Sequence, residues 1–184
     1  MTSRKLTYSQ IKKAIIASLS DDLLESKYRS LLIETDPPET GHCAVATEAF
    51  YYLAGGRDAG FMPVVCGYDV DAKGEMHFGA ASGKQDMRRE THWWVRGPHN
   101  GQRGQGEIFD VTVNQYPEPF PYRHGRNTGF MQPQQKPSRR AQIAMDRVVL
   151  KLGKTVLDEF RKGNIQRNKT SHRRTFGVAP KIRA

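Results

Sequence analysis

The chain has 184 residues, two cysteines and a formal net charge of +10. That length fits one domain with a core of its own, and two cysteines without paired spacing exclude a disulfide framework or a cysteine-ligated zinc site. No stretch reaches the ~18 apolar residues of a membrane span, and Met1-Thr2-Ser3-Arg4-Lys5 lacks the apolar core of a signal peptide, so the composition points to a soluble cytoplasmic protein with reduced thiols.

The charge is unevenly placed. Residues 136 to 184 hold 14 Lys/Arg against 3 Asp/Glu, and residues 1 to 135 hold 15 against 16. The basic balance therefore concerns the C-terminal quarter alone.

In chain order, two short packing helices are expected within residues 8 to 33. Ile11, Ala14, Ile15, Ser18 and Leu19 form one apolar stripe, and Leu23, Leu24, Tyr28, Leu31 and Leu32 form another. Ser20 stands between them as an N-cap, followed by Asp21 and Asp22. Pro37, Pro38 and Gly41 keep the next segment out of helix. From Cys43 onward, Ala46, Ala49, Phe50 and Leu53 mark one apolar helix face, and Gly55-Gly56 supplies a left-handed stop.

A strand is expected over Met62–Val70, a turn at Asp71-Ala72-Lys73-Gly74 and a return strand over Glu75–Ala80. Ser82–Arg89 is polar and loop-like. Thr91–Arg96 and Glu107–Val113 read as antiparallel strands joined by the glycine-rich Gly97–Gly106. Residues 114–137 contain five prolines and two glycines. Tyr116, Phe120, Tyr122, Phe130 and Met131 mark this stretch as packing onto the domain. Ser138 caps a helix running to about Arg161 with a bend at Gly153. Residues 163–184 carry six Lys/Arg and no acid, the composition of a tail. The domain is accordingly read as 1–162, with a basic tail at 163–184.

The chemistry centres on Gly41-His42-Cys43. A thiol at a helix N-terminus sits near free N–H groups and the positive end of the dipole, which favours thiolate. A cysteine in a small-residue helix is otherwise a small buried hydrophobe, the reading given to Cys66 in its apolar strand. A nucleophilic cysteine needs a base, and the base an orienter. His92 opens Thr91-His92-Trp93-Trp94-Val95, with Trp94 on its own face and Trp93 on the other. Asp110 is a lone carboxylate inside the apolar strand Glu107–Thr112. If those strands pair, Asp110 accepts from His92 and fixes its tautomer. The alternatives are a satisfied strand histidine and an aspartate that caps the following turn.

Gly41-His42-Cys43-Ala44-Val45, His92-Trp93-Trp94 and Asp110-Val111-Thr112-Val113-Asn114-Gln115-Tyr116, followed by Pro121-Tyr122-Arg123-His124-Gly125-Arg126, resemble the YunG-like family of bacterial and phage proteins over roughly residues 36 to 148. The resemblance implies an α+β fold with a papain-like or transglutaminase-like core, the cysteine helix packed on an antiparallel sheet; to this the residues themselves add N-terminal helices and a basic C-terminal helix. It implies a Cys43–His92–Asp110 triad and no known substrate. Where the family often has Gln before the cysteine, this chain has His42.

Cys43, His92 and Asp110 thus suggest a thiol-dependent hydrolase or acyltransferase acting on an amide, ester or thioester: a peptidase, amidase, deamidase or acyltransferase, with a protein among the candidate substrates. His42, Trp94, Asn114, Gln115, Tyr122 and Arg126 are candidate oxyanion- or substrate-binding residues. No phosphate-binding loop and no metal-ligand spacing is present, so no cofactor or metal is expected. A second class of reading rests on the C-terminal cations Arg139, Arg140, Lys151, Arg167, Arg173 and Arg174, which suit a nucleic-acid backbone or an acidic partner. A third is a pocket that binds without turnover.

Overall fold

The structure is a computed structural model that describes residues 5–78, 87–98, 106–116, 118–130 and 136–176. The far end of the expected return strand (79–80), the polar loop 82–86, most of the glycine-rich loop (99–105), Met131 and residues 177–184 lie outside the described residues. No described helix is long and apolar enough to cross a membrane. The fold is α+β, with helices on one face of an antiparallel sheet.

Helix α1 (Tyr8–Ile16) starts in a capping box, in which Gln10 N donates to Thr7 Oγ1 at 3.3 Å and Thr7 N donates to Gln10 Oε1 at 2.9 Å. The second expected helix is reduced to a 3-10 turn at Asp21–Leu23 and one helical turn, α2 (Ser26–Arg29). Its intended cap is committed elsewhere. Ser20 Oγ donates to Asp22 Oδ1 at 2.5 Å, and Arg147 reaches across to Ser20 Oγ at 2.6 Å and Asp22 Oδ2 at 2.8 Å. Leu23 and Leu24 are buried, whereas Leu31 is 50% exposed.

Helix α3 (Cys43–Ala54) begins and ends where the periodicity places it, with Gly55 as the left-handed stop at φ 106°. It is buried on nearly every side. Phe50 stacks on Phe109 at 5.4 Å, and Val45, Ala46, Ala49 and Leu53 join Ile11, Ile15, Phe61, Val95, Val148, Leu157 and Phe160 in the main core.

The sheet is built on β1 (Met62–Val70). Strand β2 (Met76–Phe78) returns after a turn in which Asp71 Oδ1 accepts from Lys73 N and Glu75 N, both at 2.9 Å. Strand β3 (Arg88–Arg96) pairs along the whole of β1, from Met62 opposite Arg96 to Val70 opposite Arg88. It begins three residues earlier than expected, so His92 lies mid-strand. Charge pairing explains the extension: Arg89 meets Asp69 across the strands at 3.1 Å, and Arg88 meets Glu90 at 2.7 Å.

Strand β4 is only Ile108–Phe109, opposite Arg96 and Val95, so Asp110 sits just past its end rather than within it. The next backbone groups of β3 are taken by α3 instead. Thr47 Oγ1 donates to Trp93 O at 2.9 Å, and Cys43 Sγ donates to Thr91 O at 3.5 Å. Two side chains of the helix thus stand where a longer β4 would pair. The short strand β5 (Arg126–Asn127) pairs with Val65 and Val64 on the far edge of β1.

The other face of the sheet carries a smaller core of Val64, Cys66, Tyr68, Trp94 and Phe120, with Tyr116 and Tyr122 against it. The proline-rich segment packs on the domain through these residues, and Phe130 stacks on Trp93 at 5.8 Å.

Helix α4 (Arg139–Leu152) is capped by Ser138, which accepts from Ala141 N at 3.3 Å while its own N–H and hydroxyl donate to Glu48 of α3 at 2.8 and 2.5 Å. Gly153, at φ 86° and ψ 137°, ends α4 where a bend was expected. Helix α5 (Lys154–Phe176) then runs well past Arg161 through the region read as tail. This part of the helix is anchored by Asn164, 2% exposed, which donates to Ala54 O at 2.8 Å and accepts from Tyr8 OH at 2.9 Å, with Asn168 donating to Asp58 O at 3.1 Å. A periodicity search for apolar residues passes over such an anchor.

A Cβ on Gly125 would overlap the Trp94 ring and press on Val64. Gly125→Ala is therefore expected to lower stability by about 1–3 kcal/mol, the usual scale of overpacking. A urea midpoint equal to that of the wild type would refute this.

Candidate active site

Cys43 is the first residue of α3 and is 9% exposed. Burial pushes its thiol up to about 12; the Trp93 and Ala44 N–H groups pull it down, and the Asp110 and Glu90 carboxylates add to the rise. The helix-start N–H of Ala44 thus acts in the expected direction, and burial outweighs it. Cys66 is 2% exposed within the smaller core, also raised by burial, with Sγ at 3.6 Å from Gly67 O.

His92 has no exposure. Its ring lies among Trp94, Tyr116 and Phe120, with centroids at 5.7, 4.7 and 4.5 Å. Nε2 is 2.7 Å from Asp110 Oδ2. Asp110 also accepts from Tyr122 OH at 2.9 Å, and its Oδ1 accepts from Thr112 N at 2.9 Å and Thr112 Oγ1 at 3.4 Å. Burial raises the Asp110 carboxyl, but the hydrogen bond and charge of His92, with the donors from Tyr122 and Thr112, hold it below the usual carboxylate range. One oxygen caps a turn and the other orients His92, so both sequence readings of Asp110 hold at once.

With Nε2–H donating to Asp110, Nδ1 is the acceptor. It faces Gln115 Nε2 at 3.1 Å. The same amide donates to Thr112 Oγ1 at 3.0 Å and accepts from Gly41 N at 3.4 Å. Asp110 and Gln115 therefore meet one imidazole at its two nitrogens, and Thr112 bonds both of them. Among the described residues no hydrogen bond joins Cys43 to His92.

Cys43 and Gln115 line a cavity of about 370 Å³, walled by Tyr28, Tyr68, Tyr116 and Glu90. Tyr28 OH donates to Glu90 Oε2 at 2.9 Å, and the Tyr68 and Tyr116 hydroxyls meet at 3.0 Å. Burial raises all three phenols, so they stay neutral. Sequence reasoning missed these walls. Tyr28 lies in a segment given only a packing role, and Glu90 falls between the expected loop Ser82–Arg89 and the expected strand Thr91–Arg96.

The other candidates are placed elsewhere. Trp94 is fully buried, and Tyr122 braces Asp110 and Trp94. Asn114 donates to Glu39 Oε1 at 3.0 Å. Arg126 is exposed on β5. His42 is 2% exposed, does not line the cavity, and leaves Nδ1 without a partner.

Among the basic residues, Arg140 pairs with Glu25 at 2.9 Å, Arg147 with Asp22 at 2.8 Å and Lys154 with Asp158 at 2.6 Å. Arg139 and Lys151 are exposed, Arg167 is bonded to Asn164, and Arg173 and Arg174 lie on α5 with side chains outside the described set. Among the described residues, one group brings three ligand atoms within 4.8 Å of one another: Asp71, Glu75 and His77 at the β1–β2 turn.

The chain matches no protein-family model, no curated protein and no solved structure.

Burial holds His42 down to about 4; Asp21 and Asp22 pull it up and Arg140 pushes it down. A folded pKa below the ordinary ~6.5 means the unfolded chain binds the proton more readily. Stability is thus full above pH ~6.5 and falls as pH drops toward about 4. Urea midpoints taken at several pH values across that window should decline less in His42→Leu than in the wild type. An unchanged slope in the variant would refute this account.

Proposed function

We propose that the protein is a thiol-dependent hydrolase or acyltransferase acting on an amide, ester or thioester, with a papain-like or transglutaminase-like core and Cys43, His92 and Asp110 as its catalytic group. The observation that carries this reading is the buried Asp110–His92 pair, whose remaining ring nitrogen meets the Gln115 amide that also accepts from Gly41 N–H, two residues before Cys43. An imidazole oriented by a carboxylate and excluded from water is what general-base chemistry requires.

The steps follow from those positions. Sγ attacks the carbonyl carbon while His92 Nδ1 takes the thiol proton, and Asp110 balances the imidazolium. N–H groups at the start of α3 receive the oxyanion. His92 returns the proton to the leaving nitrogen, oxygen or sulfur, and a thioester remains. Water or an amine then attacks it, His92 takes the incoming proton, and the thiol is restored. Because the resting thiol is protonated, proton transfer accompanies attack rather than preceding it. The cavity walls suit a substrate with an aromatic or aliphatic part and a polar group for Glu90.

Association with nucleic acid or an acidic partner through the basic segment is the weaker reading, since Arg140, Arg147 and Lys154 are already paired with carboxylates.

p-Nitrophenyl acetate should acetylate Cys43 and not Cys66, read by peptide mass spectrometry. Cys43→Ala and Cys43→Ser should abolish turnover while remaining folded by circular dichroism. His92→Ala should slow it about 10²-fold or more. Full turnover in folded Cys43→Ala would overturn the proposal.

A further inference from the structure

Gln115 is placed to do more than bind substrate. Its side-chain amide has two N–H donors and one carbonyl, and all three are engaged. Nε2 serves His92 Nδ1 at 3.1 Å and Thr112 Oγ1 at 3.0 Å, while Oε1 accepts from Gly41 N at 3.4 Å. Gly41 lies two residues before the nucleophile, and Gln115 and Cys43 face the same cavity. The amide therefore stands between the imidazole and the cysteine loop and contacts both.

We infer that Gln115 is a latch: in the resting protein it occupies the His92 lone pair, and it must turn away before His92 can accept the Cys43 proton. This rests on the thiol-enzyme reading. An Nδ1 that already receives an N–H from Gln115 is not free to receive one from Sγ. Sγ in turn has no bond to the ring and donates to Thr91 O at 3.5 Å. Once Nδ1 is protonated, the Gln115 N–H that faced it becomes a donor opposed to a donor. The amide must then rotate to offer Oε1 or leave, and either movement releases Gly41 N–H toward the cavity. Substrate that competes for Gly41 N–H or displaces the amide from the cavity favours the unlatched arrangement.

The ionisable groups packed around the pair are Asp110 beyond β4, Glu90 of β3, Cys43 of α3, Tyr68 of β1, and Tyr116 and Tyr122 of the covering segment. Gln115 is not ionisable and adds no charge to this set, so its removal changes the pH profile of Cys43 only through His92.

The test is the pH dependence of iodoacetamide alkylation at Cys43 in the full chain, read by peptide mass spectrometry. In the wild type the rate should rise only above the free-thiol reference of about 8.5. In Gln115→Ala, and in Gln115→Asn, whose shorter side chain no longer reaches Nδ1, the rate at neutral pH should increase about five- to tenfold, the scale of one net hydrogen bond. Adding His92→Ala, or His92→Gln if the alanine variant does not fold, should remove that gain. A gain that survives loss of His92 would show Gln115 to be only a steric cover and would overturn the latch. No gain in either Gln115 variant, with His92→Ala still slowing the wild type, would overturn the latch and leave the Cys–His pair standing. Cys43 rates indifferent to His92 in every background would overturn both.

Discussion

A carboxylate held out of water is the constraint on which the rest of the structure depends. Asp110 is 3% exposed, and its charge is tolerable only because four donors meet it. Without them, burying an ionised carboxyl would cost several kcal/mol. Each donor fixes something else. Thr112 N–H sets the turn after β4, Tyr122 ties down the proline-rich segment, and His92 Nε2–H fixes the imidazole. The stability of this corner and the chemistry proposed for it rest on the same four hydrogen bonds.

Cys43 lives under a related constraint. Its thiol and the Thr47 hydroxyl satisfy backbone groups of β3 that β4 leaves open. The cysteine is thus part of the sheet's hydrogen bonding as well as the start of a helix. That double role explains why the group is buried and why its thiol is raised despite the helix terminus. A thiol placed this way is shielded from solvent.

Much of this was legible in the sequence. The bounds of α3 and β1 followed from apolar spacing and from Gly55-Gly56, and the antiparallel relation of β3 and β4 brought His92 to Asp110 as expected. What was not legible depended on distant partners. The pull of Arg147 on Asp22 shortened the second N-terminal helix, and ion pairs with β1 and within β3 extended that strand. Contacts from α3 stopped β4 after two residues. The cavity walls Tyr28, Tyr68 and Glu90 come from three separate segments, and no local pattern connects them. The helical length of α5 was hidden because its key contact is polar: Asn164 has no place in an apolar stripe, yet it holds the last turn of α3.

That asparagine has a consequence for biosynthesis. Its amide closes the end of the cysteine helix against Tyr8, so one side chain joins α1, α3 and α5. Residues 43–54 leave the ribosome more than a hundred residues before residue 164 does. Until then the helix that presents the thiol lacks its C-terminal support. A chain that stops before residue 164 would hold α1 and α3 without this link between them. The last turn of α3 thus gains this partner only after residue 164 has been made.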